Sequence, residues 1–174
     1  ENKNDKKNDC VFCSYSTSKN PKDLIVYQGK QAFVCLNRYP YNAGHLLVCT
    51  NRHIEELCKL KTDEQQEIMN LIVKSTKILK DTFGCEGINI GANLGKIAGA
   101  GIEDHLHFHI VPRWEGDTNF MPTTCNTKQI SCDMEKIYEK LKVAFEKKWN
   151  RFCLLKLKRT TLFHFLKNID HIKK

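Results

Sequence analysis

The stretch His105-Leu106-His107-Phe108-His109-Ile110-Val111 decides the reading of this chain, because it alternates imidazoles with apolar side chains. A strand turns successive side chains to opposite faces, so His105, His107 and His109 share one face. Leu106, Phe108 and Ile110 share the other and can anchor the strand in a core. Histidine takes up and releases protons near neutral pH, and it also serves as a nucleophile or a metal ligand. Rigid apolar anchoring behind a row of such groups is what a reactive surface requires.

The rest of the chain supplies a body for that strand. Its 174 residues suit one domain with a substantial core. Lys and Arg exceed Asp and Glu by 28 to 20, and the net charge of +8 favours anionic partners such as nucleotides. Nine cysteines follow no disulfide-scaffold rhythm, and Cys35, Cys49, Cys85 and Cys153 sit among apolar neighbours. We therefore expect free thiols, a reducing compartment and a cytoplasmic location, with the nucleus compatible. No stretch is apolar for long enough to span a membrane.

The pattern predicts α+β architecture, an antiparallel sheet with two main helices. Leu24 to Tyr27 and Ala32 to Leu36 read as strands around a Gln28-Gly29-Lys30 turn. His45 to Cys49 and Ile88 to Ala92 read as further strands, and Pro112 ends the histidine strand. A helix starts at Thr62 as capping residue and runs to Gly84, with Ile68, Leu71, Ile72, Ser75 and Leu79 on one face. A second helix runs from Asp133 to about Trp149 with Met134, Ile137, Tyr138, Leu141 and Phe145 in a stripe. We divide the chain into a disordered tail (1–9), one domain (10–149) and a basic extension (150–174). That extension alternates cations with Phe152, Leu154, Phe163 and Phe165. It is read as a helix packing its apolar side on the body, in preference to a nucleic-acid arm.

Cys10 and Cys13 form a C-x-x-C pair in an expected tight turn, the bite that places two thiolates on one metal. Two further ligands are needed, and His53, just past a strand end, and His105 are the candidates. We assign these four to a structural zinc that ties the N-terminal turn to the sheet. The competing readings are free thiols at Cys10 and Cys13, or a catalytic metal held directly by His105, His107 and His109.

With these residues written out, the chain resembles the histidine triad family of nucleotide-binding hydrolases and transferases. The resemblance covers about residues 10 to 122. It includes Asn37-Arg38-Tyr39-Pro40-Tyr41-Asn42-Ala43-Gly44-His45-Leu46-Leu47-Val48 and the glycine loop from Asn93 to Gly101. The extension Ile110-Val111-Pro112-Arg113-Trp114, with Gly116 to Pro122, is similar to the branch of diadenosine tetraphosphate phosphorylases and dinucleoside polyphosphate hydrolases.

The resemblance implies a homodimer and a two-step substitution at phosphorus. His107 attacks an α-phosphorus, and water or phosphate then releases the nucleotide from the histidine. The carbonyl of His105 fixes the His107 tautomer, and His109 donates to a nonbridging oxygen. Asn37 holds the ribose, while Asn93 and the amides of Gly99, Gly101 and Ile102 face the phosphates. Trp114 is assigned to the nucleotide site, with packing on the sheet as the alternative. His45 is read as a hydrogen-bonded structural histidine. Several family members carry a hydroxyl three positions before the first histidine; here that residue is Ile102, which favours a polyphosphate leaving group over an amine. Two readings without catalysis stay open, a nucleotide-binding sensor and a zinc-containing nucleic-acid binder.

Overall fold

Alternation within three central strands sorts the side chains onto two faces of one sheet. In a computed structural model, the structure describes residues 10–118, 124, 130 and 132–147. The expected tail, the basic extension, the end of the second helix and residues 119–122 lie outside these. Strands β1 (Ile25–Gln28), β2 (Ala32–Leu36), β3 (Leu46–Thr50), β4 (Gly87–Gly91) and β5 (His107–Arg113) form a five-stranded sheet in the order β1-β2-β3-β5-β4. Every pairing is antiparallel. Helix α1 spans Val11–Tyr15, α2 spans Thr62–Phe83, and α3 is described over 134–147.

Val34 and Leu36 of β2, Leu46 and Val48 of β3 and Ile110 of β5 face α2 and α3. There they meet Ile68, Leu71, Ile72, Ile78 and Leu79, with Ile137, Leu141 and Phe145 closing the layer. Phe33, Cys35, Leu47 and Cys49 face the other way and pack with Ile25, Cys10 and Phe12 under α1. In the β3–β5 ladder His107 lies opposite Cys49 and His109 opposite Leu47, so both belong to the α1 side.

Several boundaries differ from expectation, each for a local reason. Leu24 leaves β1 because it adopts a left-handed conformation, φ 57°, as it closes the short 3-10 turn Pro21–Asp23. Cys10 to Cys13 lies on the start of a short helix instead of a free turn, with Cys10 at its N-cap. Lys61, not Thr62, is the N-cap of α2. Lysine offers no acceptor, so half of a capping box forms: the Glu64 carboxylate accepts the Lys61 backbone N–H at 2.8 Å. The helix stops at Gly84, where φ is +61° and a side chain would be strained.

Pro112 sits inside β5 instead of ending it, opposite Ile88. Its carbonyl accepts from Asn42 Nδ2 at 2.9 Å, on the side where β3 has already ended, so the missing N–H costs no ladder bond. His105 precedes the strand proper yet keeps the face of His107. No helix among the described residues is long and apolar enough to cross a membrane.

One ion pair ties the sheet to α2 beside the site. Arg52 meets Glu64 through Nε at 2.9 Å and a terminal nitrogen at 2.8 Å, and Glu64 is 2% exposed. The guanidinium lowers the Glu64 carboxyl from 4.5 to about 2. A depressed carboxylate stabilises the fold above its unfolded value and loses that contribution as pH falls through its folded value. We expect Glu64→Gln to cost on the order of 2 kcal/mol at pH 7, allowing for the part-exposed Arg52. The gap from wild type should shrink between pH 4.5 and about 2, read by urea unfolding across that window.

Candidate functional site

Backbone groups dictate the protonation pattern of the three imidazoles. His105 Nε2 lies 2.7 Å from the Thr50 carbonyl, which can only accept, so the ring proton is on Nε2 and Nδ1 keeps its lone pair. His107 is reversed: its Nδ1 lies 2.7 Å from the His105 carbonyl, so Nδ1–H donates and Nε2 carries the lone pair. His109 is set by a longer route. The Tyr41 backbone N–H donates to His45 Nδ1 at 3.0 Å, which places the His45 proton on Nε2. Nε2–H donates to His109 Nδ1 at 3.0 Å, and His109 is left with its proton on Nε2. That Nε2 is buried with no partner among the described residues, a donor awaiting an acceptor.

This assignment requires neutral rings, and the surroundings favour them. Burial lowers His107, partly offset by its bond to the His105 carbonyl. His109 is lowered by burial and then by His107. His45, fully buried, falls to about 3 through burial and then through His109 and His107. The rings form a row: His107 and His109 have centroids 5.1 Å apart, and His45 and His109 5.2 Å. Phe12 closes one end, 5.0 Å from His107 and 5.5 Å from His105. Tyr41 closes the other, stacked on His109 at 5.7 Å and 15°.

Beyond Phe12, the ligand atoms of Cys10, Cys13, His53 and His105 all lie within 4.8 Å of one another. His105 Nδ1 is 3.3 Å from Cys10 Sγ and 3.6 Å from Cys13 Sγ, and His53 Nδ1 is 3.2 Å from Cys13 Sγ. Tetrahedral bonds of about 2.0–2.3 Å separate ligand atoms by roughly 3.3–3.8 Å, so this donor set fits a zinc-sized ion with little adjustment. Helical spacing puts both thiols on one face of α1. The Thr50 carbonyl on the far nitrogen of His105 is the outer support such a ligand needs. Burial lowers His105 to about 4 and so favours the neutral form that binds metal.

The remaining predicted residues divide. Asn37 joins the row: its Nδ2 is 3.3 Å from His45 Nδ1, and its Oδ1 accepts the Tyr39 N–H at 3.0 Å. Asn93 instead spends a donor on its own loop, Nδ2 to the Gly99 carbonyl at 3.2 Å. Gly99, at φ +86°, closes the turn Lys96–Ala98 and donates its N–H to the Lys96 carbonyl at 2.9 Å. These bonds engage one of the two Asn93 amide protons and the Gly99 N–H. Gly101 and Ile102 keep backbone N–H groups without a partner among the described residues. The Ile102 side chain packs against the α1-side cluster, as Cys13 and Tyr15 do. Trp114 is partly buried and packs against the helix-side core, as Phe108 of β5 does.

The sequence reading passed over Tyr41, and gave His45 no part in setting His109. Their separation by four residues across Gly44 was the available signal, since a tight turn brings such positions together. Phe12 was legible as the one large apolar residue between the two cysteines.

Comparison with known proteins places this geometry. The chain is 42% identical over 107 residues to AP-4-A phosphorylase of Mycobacterium tuberculosis, covering 62% of this chain and 55% of that protein. It therefore spans about half the length of that relative. It is 30% identical over 108 residues to adenosine 5'-monophosphoramidase of Candida albicans, covering 60% of this chain and 70% of that one. Its fold matches the crystal structure of a Zn-bound histidine triad family protein from Mycobacterium smegmatis, TM-score 0.67 at 22% identity, covering 83% of this chain and 99% of the other. The HIT domain matches residues 18–116, and the chain belongs to the HIT family.

Proposed function

We propose that this chain cleaves dinucleoside polyphosphates such as diadenosine tetraphosphate through a nucleotidyl-His107 intermediate. The observation that carries the reading is the His107 Nδ1–H bond to the His105 carbonyl, which leaves Nε2 free to attack. A bond forms from Nε2 to the α-phosphorus, and the bond from phosphorus to the bridging oxygen breaks, expelling the remaining nucleotide. His109 Nε2–H stabilises the charge that develops on oxygen. Phosphate or water then attacks the same phosphorus and restores the free imidazole. Asn37 holds the ribose, and the unspent amides of Gly101 and Ile102 face the phosphates. The similarity to an AP-4-A phosphorylase favours phosphate as the second acceptor. Ile102, in place of a hydroxyl, disfavours the amine leaving group that a phosphoramidase must protonate.

Cys10, Cys13, His53 and His105 hold a structural zinc in this reading. All four ligand positions come from the protein, so the metal supplies rigidity and takes no part in the reaction. Its support reaches the nucleophile through His105, whose ring binds metal and whose carbonyl orients His107. Two thiolates on a metal, among cysteines without a disulfide rhythm, suit a reducing compartment, the cytoplasm or nucleus. A homodimer is supported by the edge position of β4 and by the exposed Ile90, Leu94 and Ile97 on that strand and its following loop.

Four outcomes test this account. His107→Ala should lower kcat by about three orders of magnitude or more with fold and metal retained; normal turnover would remove the nucleophile. Wild type supplied with diadenosine tetraphosphate and phosphate should release ATP plus ADP, and without phosphate ATP plus AMP, separated by chromatography. His45→Phe frees the His109 tautomer and should lower kcat about 10- to 100-fold with little change in KM. Purified protein should carry about one zinc per chain by elemental analysis, and Cys13→Ser should lose both the metal and several degrees of Tm.

A further inference from the structure

Cys10 and Cys13 differ from the other described cysteines in combining a neighbouring thiol with an approach from solvent. Their Sγ atoms belong to the four ligand atoms that all lie within 4.8 Å of one another. Cys13 is part-buried, and Cys10 is 8% exposed. Cys35 and Cys49 also meet across adjacent strands, but at 1% and 0% exposure they are sealed under α1. Cys58 is exposed, and its Sγ faces the Glu56 carboxylate at 3.3 Å. Cys10 is the N-cap of α1, extended at φ −79° and ψ 116°, and its side chain makes no cap hydrogen bond. Cys13 is the third helical residue. This is the spacing at which C-x-x-C pairs cycle between dithiol and disulfide. The same two residues join α1 to the histidine strand. Their Sγ atoms lie 3.3 and 3.6 Å from His105 Nδ1, and Phe12 between them packs on both His105 and His107.

We propose that Cys10 and Cys13 are a redox switch: a peroxide joins them in a disulfide, empties the metal site and releases α1 from His105 and His107. The inference rests on the zinc reading above and adds regulation to it. Metal-binding sulfurs are thiolates, the form that acts as nucleophile. Cys13 Sγ attacks one peroxide oxygen; the O–O bond breaks, hydroxide leaves, and Cys13 becomes a sulfenic acid. Cys10 Sγ then attacks that sulfur; the S–S bond forms, the S–O bond breaks, and a second hydroxide leaves. Two thiolates and one peroxide thus give one disulfide and two hydroxides, which two protons convert to water. The sulfurs supply the two electrons that reduce the peroxide. A disulfide offers no thiolate, and His53 with His105 is half of a closed tetrahedral set. Helix α1, five residues long, then loses the ligand bonds that hold it against the sheet and keep Phe12 on the nucleophile.

The test uses the zinc-loaded full chain, with metal content measured by elemental analysis beforehand, so a failed zinc reading is seen before any oxidant is present. Hydrogen peroxide is then added. Released zinc is read with a chromophoric indicator, disulfides are mapped by mass spectrometry after alkylation, and turnover of diadenosine tetraphosphate is followed in parallel. We expect about one zinc released per Cys10–Cys13 disulfide and a fall in kcat of about tenfold or more. A thiol reductant with added zinc should restore both. Cys58→Ser, which removes the exposed thiol, should respond as wild type does. If diadenosine tetraphosphate is not turned over at the outset, the proposed reaction has failed, and metal release with disulfide mapping still decides the switch. Cysteines left unpaired by peroxide, a disulfide between other cysteines in place of this one, or a Cys10–Cys13 disulfide that forms with zinc retained would overturn the inference. So would metal loss that leaves turnover intact.

Discussion

The site depends on backbone carbonyls and amides that leave each imidazole one choice of tautomer. The Thr50 carbonyl turns the lone pair of His105 toward the two thiols, and the His105 carbonyl turns that of His107 the opposite way. The Tyr41 amide acts on His109 through His45. Three rings of the same chemistry thereby acquire three different lone-pair arrangements, which the proposed function uses as metal ligand, nucleophile and hydrogen-bond donor. Burial supports the division by disfavouring the charged ring, in which both nitrogens are donors and the distinction vanishes.

That arrangement needs a rigid sheet beneath it. β5 is paired on both sides, by β3 and β4, so its backbone cannot slip without turning every histidine into the helix-side core. The two clusters on opposite faces divide the work. The larger one, against α2 and α3, anchors the strands; the smaller one, under α1, brings Phe12 and the cysteines against His105 and His107. Arg52 and Glu64 join α2 to the chain immediately before His53, so that candidate ligand is also held in place.

Most of this was legible because period-two alternation is local. It assigned His105, His107 and His109 to one face, and the spacing of Ile68, Leu71, Ile72 and Leu79 gave α2. Applied two residues further, the same rule puts Trp114 with Phe108 and Ile110, where it packs. Pro112 misled because a missing N–H matters only where a neighbouring strand needs it, and that is a property of the sheet. Asn93 and Gly99 looked free because loop hydrogen bonds leave no periodic trace. The path from Tyr41 through His45 to His109 joins the β2–β3 loop to β5, so it emerges only when β3 pairs with β5.

The central claim is a proton on Nδ1 of His107 and none on its Nε2, with His105 and His109 protonated on Nε2. Long-range nitrogen–proton correlation NMR on nitrogen-labelled, zinc-loaded protein at neutral pH reads each ring directly. The account predicts one Nδ1-protonated ring in the triad, assigned to His107 by its loss in His107→Ala, between two of the opposite tautomer. A His107 protonated on Nε2, or on both nitrogens, would contradict it.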